Sequence, residues 1–362
     1  MIAYNESRWV IDMKYFKIFI ILFVLIFAFF LGTKLDKGMV SKNYSYKKEN
    51  DVIKDYKSDK IDELGNIPIM MYHGIVNKEG INQGNYDKDG YTRTLSAFRN
   101  DLEMYYQKGY RMIKLDDYIH GKIDTPYGYS PIVLTFDDGN DNNILVDGLD
   151  DNGDIIINKY SAVGVLEEFK KKYPDYNVTA TFFVTDNLFN QPKYNEKILK
   201  WLIMHGYSVG NHTRNHDNLS KIDGDKISNS IGYMYNKLSN IIGDDYSKIV
   251  ALPYGAPYNR DNGNFSYIID SKYDSKIYHS EAVLRVGWEP EVSPFNKNID
   301  MTYLKRCRAY DNNGKDFDIS YVFNMLDKNR YISDGDEKTI VTLKSKSDMI
   351  NNKYNLEVIM YE

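Results

Sequence analysis

Residues 131–140, which read PIVLTFDDGN, constrain the fold most. Their first half is an unbroken run of apolar and β-branched residues that ends at Phe136. A run of this kind is typical of a strand buried on both faces, as in a parallel sheet covered by helices. Asp137 and Asp138 follow at once, and Gly139 then breaks the chain. Because neighbouring carboxylates are costly unless a cation or a proton holds them, this turn is either a solvated loop or the rim of a functional site.

A second polar cluster follows a second predicted strand, over residues 207–209. The chain there reads NHTRNH, so His212 and His216 stand four residues apart. On a helical turn this spacing places both imidazoles on one face, as in other zinc sites built on histidine pairs. Two histidines and one carboxylate leave a fourth position open for water, which is the pattern of catalytic zinc. Since only 6 histidines occur in 362 residues, a pair of them after a strand end favours ligands over surface residues.

Three motifs in this order, TFDDG, HTRNH and LPYG, resemble those of the polysaccharide deacetylases. That carbohydrate esterase family removes acetyl groups from N-acetylglucosamine polymers. The resemblance covers residues 67–255 and is less clear beyond them. It implies that Asp137 is the catalytic base. It also implies one divalent metal ion, zinc first with cobalt or another metal as alternatives, and three ligands for it: Asp138, His212 and His216.

The same resemblance implies where the substrate is bound. Pro253 and Tyr254 belong to the LPYG motif, from which the family donates a backbone N–H to the oxyanion. Trp288 stands at the end of a predicted strand, where it is expected to line the acetyl pocket, with a place in the core as the alternative. One departure from the family lies close by. The arginine that orients the base normally stands two residues before this proline, and here that position is Ala251.

A second departure concerns the general acid. The family commonly places a histidine after its last strand, but no histidine follows His279 in this chain. The departing amine still needs a proton. His73 ends the first predicted strand, at the face where Asp137 and His212 are also expected, and Gly74 lets the chain turn there. We therefore predict that His73 donates the proton or binds the sugar, with a structural histidine as the alternative.

Strands and helices alternate along the chain, which predicts an α/β fold around a parallel sheet. The candidate groups follow strand ends, as in β/α barrels, and the resemblance implies a distorted (β/α) barrel of the polysaccharide deacetylase type. The pattern alone also allows a doubly wound open sheet. The predicted strands cover residues 67–72, 111–115, 132–136, 179–184, 207–209, 249–252, 282–286 and 339–343. The predicted helices cover residues 95–105, 162–173, 198–204, 227–241 and 318–326.

The chain divides into three predicted segments. Residues 18–32 form an uncharged apolar run of fifteen residues, between a signal-peptide core and a full span of about twenty residues. No small-residue cleavage site follows it, so we expect residues 1–34 to be a single-pass membrane anchor with the rest extracellular; the alternative is a cleaved signal and secretion. Residues 35–66 are polar and predict a spacer, and residues 67–362 predict the catalytic domain. Within that domain, residues 140–160 look like an insertion, a solvated loop at the mouth of the site.

Charge and cysteine content exclude two further features. The net charge of −5 argues against a nucleic-acid partner, and the single cysteine, Cys307, excludes an internal disulfide. The leading hypothesis is a metal-dependent N-deacetylase of a cell-surface aminosugar polymer such as peptidoglycan or poly-N-acetylglucosamine. The alternatives are a degenerate homologue that binds glycan without turnover and an O-acetyl esterase on the same scaffold.

Overall fold

A curved parallel sheet of eight strands organises the part of the chain that the computed structural model describes, residues 54–81 and 84–362. The strands, in chain order, are β1 (Ile69–Tyr72), β2 (Tyr110–Met112), β3 (Ser130–Phe136), β4 (Thr181–Val184), β5 (Ser208–Asn211), β6 (Ile249–Ala251), β7 (Ala282–Leu284) and β8 (Cys307–Arg308). They lie in the order β7-β6-β5-β4-β3-β1-β8, and β2 pairs with the first half of β3. Every pair in this sheet is parallel, which confirms the predicted α/β class.

The two edges of the sheet approach each other. Isolated bridges join Leu284 to Leu304 and Trp288 to Cys307, so the chain beyond β7 runs alongside the segment that enters β8. The sheet is therefore a curled half-barrel and not a closed ring of strands. This confirms the predicted distorted barrel in its coarse form. Such curvature gathers the carboxyl ends of the strands around one concave rim.

Seven α-helices are present within the described residues. Thr94 caps the first of them by accepting a hydrogen bond from the backbone N–H of Ala97, and this helix buries Phe98 and Leu102 on the face that the apolar spacing predicts. The helices are α1 (Leu95–Gln107), α2 (Leu115–Ile119), α3 (Ala162–Lys172), α4 (Asn195–Met204), α5 (Gly224–Ile242), α6 (Phe265–Ile269) and α7 (Ile319–Asn329).

The strand that precedes the two aspartates is buried along its whole length, as its composition predicts. Ile132, Leu134 and Phe136 belong to one apolar cluster, whereas Val133 belongs to another. Alternate residues of β3 therefore face opposite layers of the core. Each such side chain stabilises the fold by about 1.5–3 kcal/mol relative to its exposed state, so β3 holds the following aspartates on a rigid support.

One edge of the sheet differs from the prediction. Thr339–Leu343 is a strand, as predicted, but it pairs in parallel with Glu357–Tyr361 in a separate two-stranded sheet. The edge position beside β1 belongs to β8. Its two residues are too few for an apolar period to reveal it.

Residues 140–160 are not the open loop that their polar composition predicts. Val146–Leu149 and Ile155–Ile157 form an antiparallel hairpin, whose turn contains Asn152 and Gly153, a common hairpin-turn pair. The remaining short strands are Asn66–Ile67, Ile75–Val76, Arg93–Thr94, Asp270–Tyr273, Lys276–His279 and Glu291–Val292. The 3₁₀ helices are Asp141–Asn143, Pro174–Tyr176, Pro253–Gly255, Lys344–Met349 and Asn352–Tyr354.

The amino-terminal predictions fall mostly outside the described residues. This is so for the expected anchor at residues 1–34 and for most of the expected spacer at residues 35–66. The compact unit begins at Tyr56, and the end of the expected spacer packs into it because Ile61 and Leu64 bury their side chains there. Across the described part of the chain, no helix combines the length and apolar character needed to cross a bilayer.

Candidate active site

The polar residues that follow neighbouring strands meet at one rim of the sheet. Asp138 follows β3, His212 follows β5, and His216 lies four residues further along, in the loop before α5 rather than on a helical turn. A ligand atom from each of these three residues lies within 4.8 Å of the other two. The structure thus brings together the three predicted metal ligands, which we call the Asp-His-His group.

The Asp-His-His group is open on one side. Oδ1 of Asp138 lies 3.3 Å from Nε2 of His212 and 3.3 Å from Nε2 of His216. His212 is buried, whereas the side chains of Asp138 and His216 keep 34% and 33% of their surface accessible. Burial acts to raise the pKa of Asp138, but the two imidazoles hold it well below its usual range. The carboxylate is therefore ionised, and solvent or a substrate can reach the open side.

The buried imidazole is oriented as a metal ligand would be. Nδ1 of His212 lies 2.8 Å from the backbone oxygen of Ala251, and a carbonyl only accepts, so Nδ1 carries the proton. In the neutral form of the ring, which a metal ion would bind, this leaves a lone pair on Nε2, and among the described residues Nε2 has no hydrogen-bond partner. Its 3.3 Å separation from Asp138 lacks hydrogen-bond geometry. A buried donor atom without a partner, facing a carboxylate and a second imidazole, fits a divalent cation.

The backbone around the Asp-His-His group is strained. Four residues that are not glycine adopt positive φ angles there: Asp138 at 75°, Thr213 at 64°, His216 at 57° and Tyr254 at 59°. Such conformations cost roughly 1–3 kcal/mol each and cluster at functional sites. Gly139 also has a positive φ of 64°, and a β-carbon there would lie 2.2 Å from a backbone oxygen, so the turn accepts only glycine. The fold holds these residues in place at a cost to its stability.

Asp137, the predicted base, is held by a buried arginine that the sequence analysis did not identify. Nη1 of Arg306 donates to Oδ1 at 2.7 Å and Nη2 donates to Oδ2 at 2.6 Å. Asp137 is 1% exposed and Arg306 is fully buried. Burial acts to raise the pKa of Asp137, but the charges of Arg306 and His212 hold it below its ordinary value. The result is an ionised carboxylate in a fixed orientation, which suits a general base.

Arg306 supplies a guanidinium to Asp137 although Ala251 stands where the family usually has the arginine that orients the base. It precedes β8, on the other side of the sheet from β6, where Ala251 lies. Nη1 of Arg306 also donates to the hydroxyl of Thr135 at 3.2 Å. Ala251 instead contributes the backbone oxygen that orients His212. The family departure at position 251 therefore does not leave Asp137 without a counter-ion.

No local sequence signal marks Arg306. The segment at 304–308 reads LKRCR, so Arg306 is one of three cations in five residues. Its burial requires a carboxylate partner, because an unpaired buried charge is strongly destabilising. Its partner cannot be identified from sequence, since the two residues are 169 positions apart.

His73 lies beside the predicted base. Its Nε2 is 4.0 Å from Oδ2 of Asp137, and its backbone oxygen accepts a hydrogen bond from the side chain of Asn143 at 2.7 Å. Burial lowers the pKa of His73, although Asp137 and Asp138 act against this. This shift favours the neutral imidazole. The position of His73 beside Asp137 suits the predicted proton donor, and its role in proton transfer stays a prediction.

The predicted substrate residues occupy two places. Tyr254 is 57% exposed, and its ring meets the ring of His216 edge-on with 4.6 Å between centroids, so it borders the open side of the Asp-His-His group. Pro253 is buried just before it. Trp288 lies in a neighbouring cleft, where its ring centroid is 4.5 Å from that of Phe317. The structure therefore places Tyr254 at the predicted metal site and Trp288 beyond it.

Comparison with known sequences points to one family. Residues 125–265 match the polysaccharide deacetylase family. A peptidoglycan-N-acetylglucosamine deacetylase of Bacillus cereus is 31% identical over 131 residues, which are 36% of this chain and 38% of that protein. The chain therefore spans about two fifths of the length of this curated relative.

Comparison with solved structures concerns the fold. A Streptococcus pyogenes deacetylase, PplD, solved in complex with acetate, superposes on this chain with a TM-score of 0.50 and 18% sequence identity. The superposition covers 68% of this chain and 93% of that chain. The curled sheet is thus shared beyond the segment that the sequence comparisons match.

Proposed function

We propose, on the premise that residues 125–265 match the polysaccharide deacetylase family, that the protein is a metal-dependent hydrolase that removes N-acetyl groups from a cell-surface aminosugar polymer such as peptidoglycan or poly-N-acetylglucosamine. One observation carries the proposal. The Asp-His-His group lies at the same rim as a buried, ionised carboxylate, Asp137, that a guanidinium holds in place. This arrangement provides a cation site and a base side by side.

The Asp-His-His group would hold the divalent ion. Zinc fits its nitrogen and oxygen donors best, and cobalt is the alternative. When bound, the ion would polarise the acetyl carbonyl and lower the pKa of a coordinated water. The open side between Asp138 and Tyr254 gives the acetyl group its approach.

Asp137 would take the proton from the attacking water. Arg306 occupies one position on each carboxylate oxygen, and further lone pairs remain on both. The guanidinium keeps the carboxylate ionised and prevents it from rotating, so the proton acceptor is correctly placed before the substrate arrives.

His73 would give a proton to the departing amine, which is a poor leaving group while it is unprotonated. Its ring lies near Asp137, so base and acid share the same side of the rim. The backbone N–H of Tyr254 would stabilise the oxyanion, as the family resemblance implies. Together these groups cover the proton transfers that amide hydrolysis needs.

The decisive experiment measures acetate release by the full-length protein from N-acetylglucosamine oligomers, before and after chelation and with zinc or cobalt added back. We expect activity that chelation removes and metal restores. Asp138→Ala, His212→Ala and His216→Ala should each lower metal content sharply. Asp137→Ala should retain metal and lose activity by about 10²–10⁴-fold, the range for general acid–base groups. Stoichiometric metal in all three ligand variants would refute the ligand assignment.

His73→Ala tests the proton donor. This variant should keep its metal and lose at least about tenfold in turnover, because it removes a general acid without touching the ligands. Near-normal turnover would remove His73 from the mechanism. A substrate that carries only O-acetyl groups separates the N-deacetylase from an O-acetyl esterase. A protein that binds glycan and metal but releases no acetate would match the degenerate homologue.

We also propose that residues 1–34 anchor the protein in the cell membrane with its catalytic domain outside. The apolar run at residues 18–32 supports this, together with a polymer substrate that lies outside the cell. The full-length protein should fractionate with membranes, and protease added to wall-stripped cells should remove its domain. A mature form that starts after about residue 32, at the end of the apolar run, would show a cleaved signal instead.

A further inference from the structure

A cleft of about 390 Å³ opens next to His73 and has no part in the chemistry above. The ring of Tyr91 joins the two, because its centroid lies 4.8 Å from that of His73. The cleft is therefore within reach of a sugar that neighbours the reacting one. Its walls include Lys88, Asp89, Tyr91, Trp288, Arg308 and Phe317.

The walls of this cleft expose an unusual amount of aromatic surface. Tyr91, Trp288 and Phe317 leave 41%, 36% and 45% of their surface in contact with solvent. Clustered exposed rings, rimmed by polar residues, mark binding surfaces rather than core. Aromatic faces of this kind suit the apolar faces of sugar rings.

Arg308 stands among these rings. Its guanidinium lies 4.3 Å from the ring centroid of Tyr91, 4.9 Å from that of Tyr310 and 5.7 Å from that of Trp288. It also donates to the backbone oxygen of Asp89. Unlike Arg306, which pairs with a carboxylate, Arg308 has no carboxylate within 4.0 Å among the described residues. The cation is held in place and keeps its capacity to bind an anion.

The loop at residues 89–91 packs tightly beside Arg308 and fixes the shape of this cleft. Gly90 has a positive φ of 67°, and a β-carbon there would lie 2.3 Å from the ring of Tyr310. Glycine at this position lets the loop that carries Asp89 and Tyr91 press directly on that ring. The rings and the guanidinium are therefore positioned without a ligand.

Position and charge both place Arg308 near the substrate. Arg308 lies in β8, two residues after Arg306. The ring centroid of Tyr91 lies 4.3 Å from the Arg308 guanidinium and 4.8 Å from the ring centroid of His73. The cleft walls carry two cations, Lys88 and Arg308, against one acidic residue, Asp89, whereas the whole chain has a net charge of −5. The cleft is thus a cationic spot on an acidic protein.

We propose that this cleft binds a carboxylate-bearing sugar adjacent to the sugar that is deacetylated, so that the enzyme prefers an anionic aminosugar polymer to a neutral one. The rings would receive the sugar face, and the guanidinium of Arg308 would bind the carboxylate with two hydrogen bonds. The inference rests on the proposed function for the place of the reacting sugar. It narrows the substrate to polymers in which carboxylates alternate with N-acetylated sugars.

The test uses two oligosaccharides of equal length that alternate N-acetylglucosamine with a sugar carrying a lactyl carboxylate. In the second oligosaccharide every carboxylate is converted to a neutral amide. The full-length, metal-loaded protein should release acetate from the acid form with a KM at least about tenfold lower than from the amide form, which is the scale of one charge-assisted hydrogen bond. Arg308→Gln should abolish this discrimination, and Arg308→Lys should keep part of it. Equal KM values for both forms in the unaltered protein would overturn the proposal.

Arg330→Gln is the matched control. Its guanidinium also lies over a tyrosine ring, 5.6 Å from that of Tyr110, and donates to a backbone oxygen, that of Lys108 at 2.9 Å, but it is not a wall of the cleft. It should leave the discrimination intact; equal loss in both variants would overturn the role of Arg308.

Direct binding separates this inference from the proposed function. If no acetate is released from either oligosaccharide, the deacetylase proposal fails, and calorimetry with the same pair still tests the cleft. Tighter binding of the acid form that Arg308→Gln removes would support the cleft as a carboxylate site. Equal binding of the acid and amide forms would overturn it.

Discussion

Asp137 and Glu63 are two carboxylates with 1% exposure each, at opposite ends of the same sheet. Asp137 follows β3 and has a guanidinium nitrogen on each oxygen. Its pKa lies below the ordinary value because Arg306 and His212 outweigh burial. Glu63 precedes β1, and burial together with the nearby Asp334 raises its pKa to about 8.

The partners of Glu63 explain the difference. It accepts hydrogen bonds from the hydroxyl of Tyr331 at 2.8 Å and from the backbone N–H groups of Val341 at 2.8 Å and Asp334 at 3.2 Å. Three neutral donors do not compensate for burial beside another acidic residue, whereas one guanidinium does. Burial alone therefore does not decide protonation; a formal positive charge in contact with the carboxylate does.

Removal of the Arg306 guanidinium should have the largest effect on both stability and turnover. Arg306→Met leaves Asp137 buried without a cation, as Glu63 is, and should lower the free energy of unfolding by about 3–5 kcal/mol. Turnover should fall at least about a hundredfold, because the carboxylate loses both its charge and its orientation. Denaturant unfolding and acetate release measure the two effects.

A second change shows whether the loss belongs to the pair. Arg306→Met combined with Asp137→Leu removes both charges and should recover most of the lost stability, because apolar replacements of a buried ion pair are often neutral. An unfolding free energy for Arg306→Met within about 1 kcal/mol of the unaltered protein would contradict the comparison, since that is the scale of an exposed pair.

The next effect concerns Glu63 and pH. Because its folded pKa is raised to about 8, the folded state holds a proton that the unfolded state releases above its lower pKa. Stability should therefore fall as pH rises through this window, by about 3–4 kcal/mol between about pH 5 and pH 8. Glu63→Gln should remove that part of the slope. The measurement is unfolding free energy against pH for both proteins.

The Glu63→Gln result has an internal check. The amide nitrogen of glutamine would face an N–H donor, which lowers stability by a constant amount at every pH and so cancels in the slope. Identical slopes for the two proteins would show that Glu63 is ionised in the fold, and the contrast with Asp137 would then disappear.

We expect the smallest effect from Thr135, a neutral side chain that accepts a hydrogen bond from Arg306. The hydroxyl of Thr135 donates to the backbone oxygen of Met70 at 2.8 Å and accepts from Arg306 at 3.2 Å. Thr135→Val keeps the shape and removes both bonds, so unfolding should become easier by about 1–2 kcal/mol with turnover nearly unchanged. A loss as large as that of Arg306→Met would mean that neutral contacts, rather than charge, hold the base.

The sequence predicts the supporting strands well because their apolar runs report burial directly. The β3 run and the histidine spacing are local patterns, and the structure brings Asp138, His212 and His216 together as they suggest. His73 was located by the same reasoning, since it ends a neighbouring strand. Patterns that extend over a few residues therefore predict most of the candidate site.

Sequence reasoning failed where a contact joins distant segments. β8 has two residues and no detectable period, so neither its pairing with β1 nor the arginine before it could be placed. The strand Thr339–Leu343 has a clear apolar pattern, but its pairing partner decides that it lies outside the main sheet. Composition likewise assigned residues 140–160 to a loop, although a turn at Asn152 and Gly153 closes a hairpin.

The distance along the chain between Arg306 and Asp137 has a consequence for synthesis. The pair joins residues 169 positions apart, so β3 leaves the ribosome long before the arginine that neutralises its aspartate. Until then, the buried apolar strand ends in a carboxylate without a cation, and the sheet lacks the edge strand that follows Arg306. Long-range pairings of this kind slow folding and expose strand edges to aggregation. A nascent chain of this protein therefore depends on its last sixth to complete its candidate base, and premature termination would yield an aggregation-prone fragment.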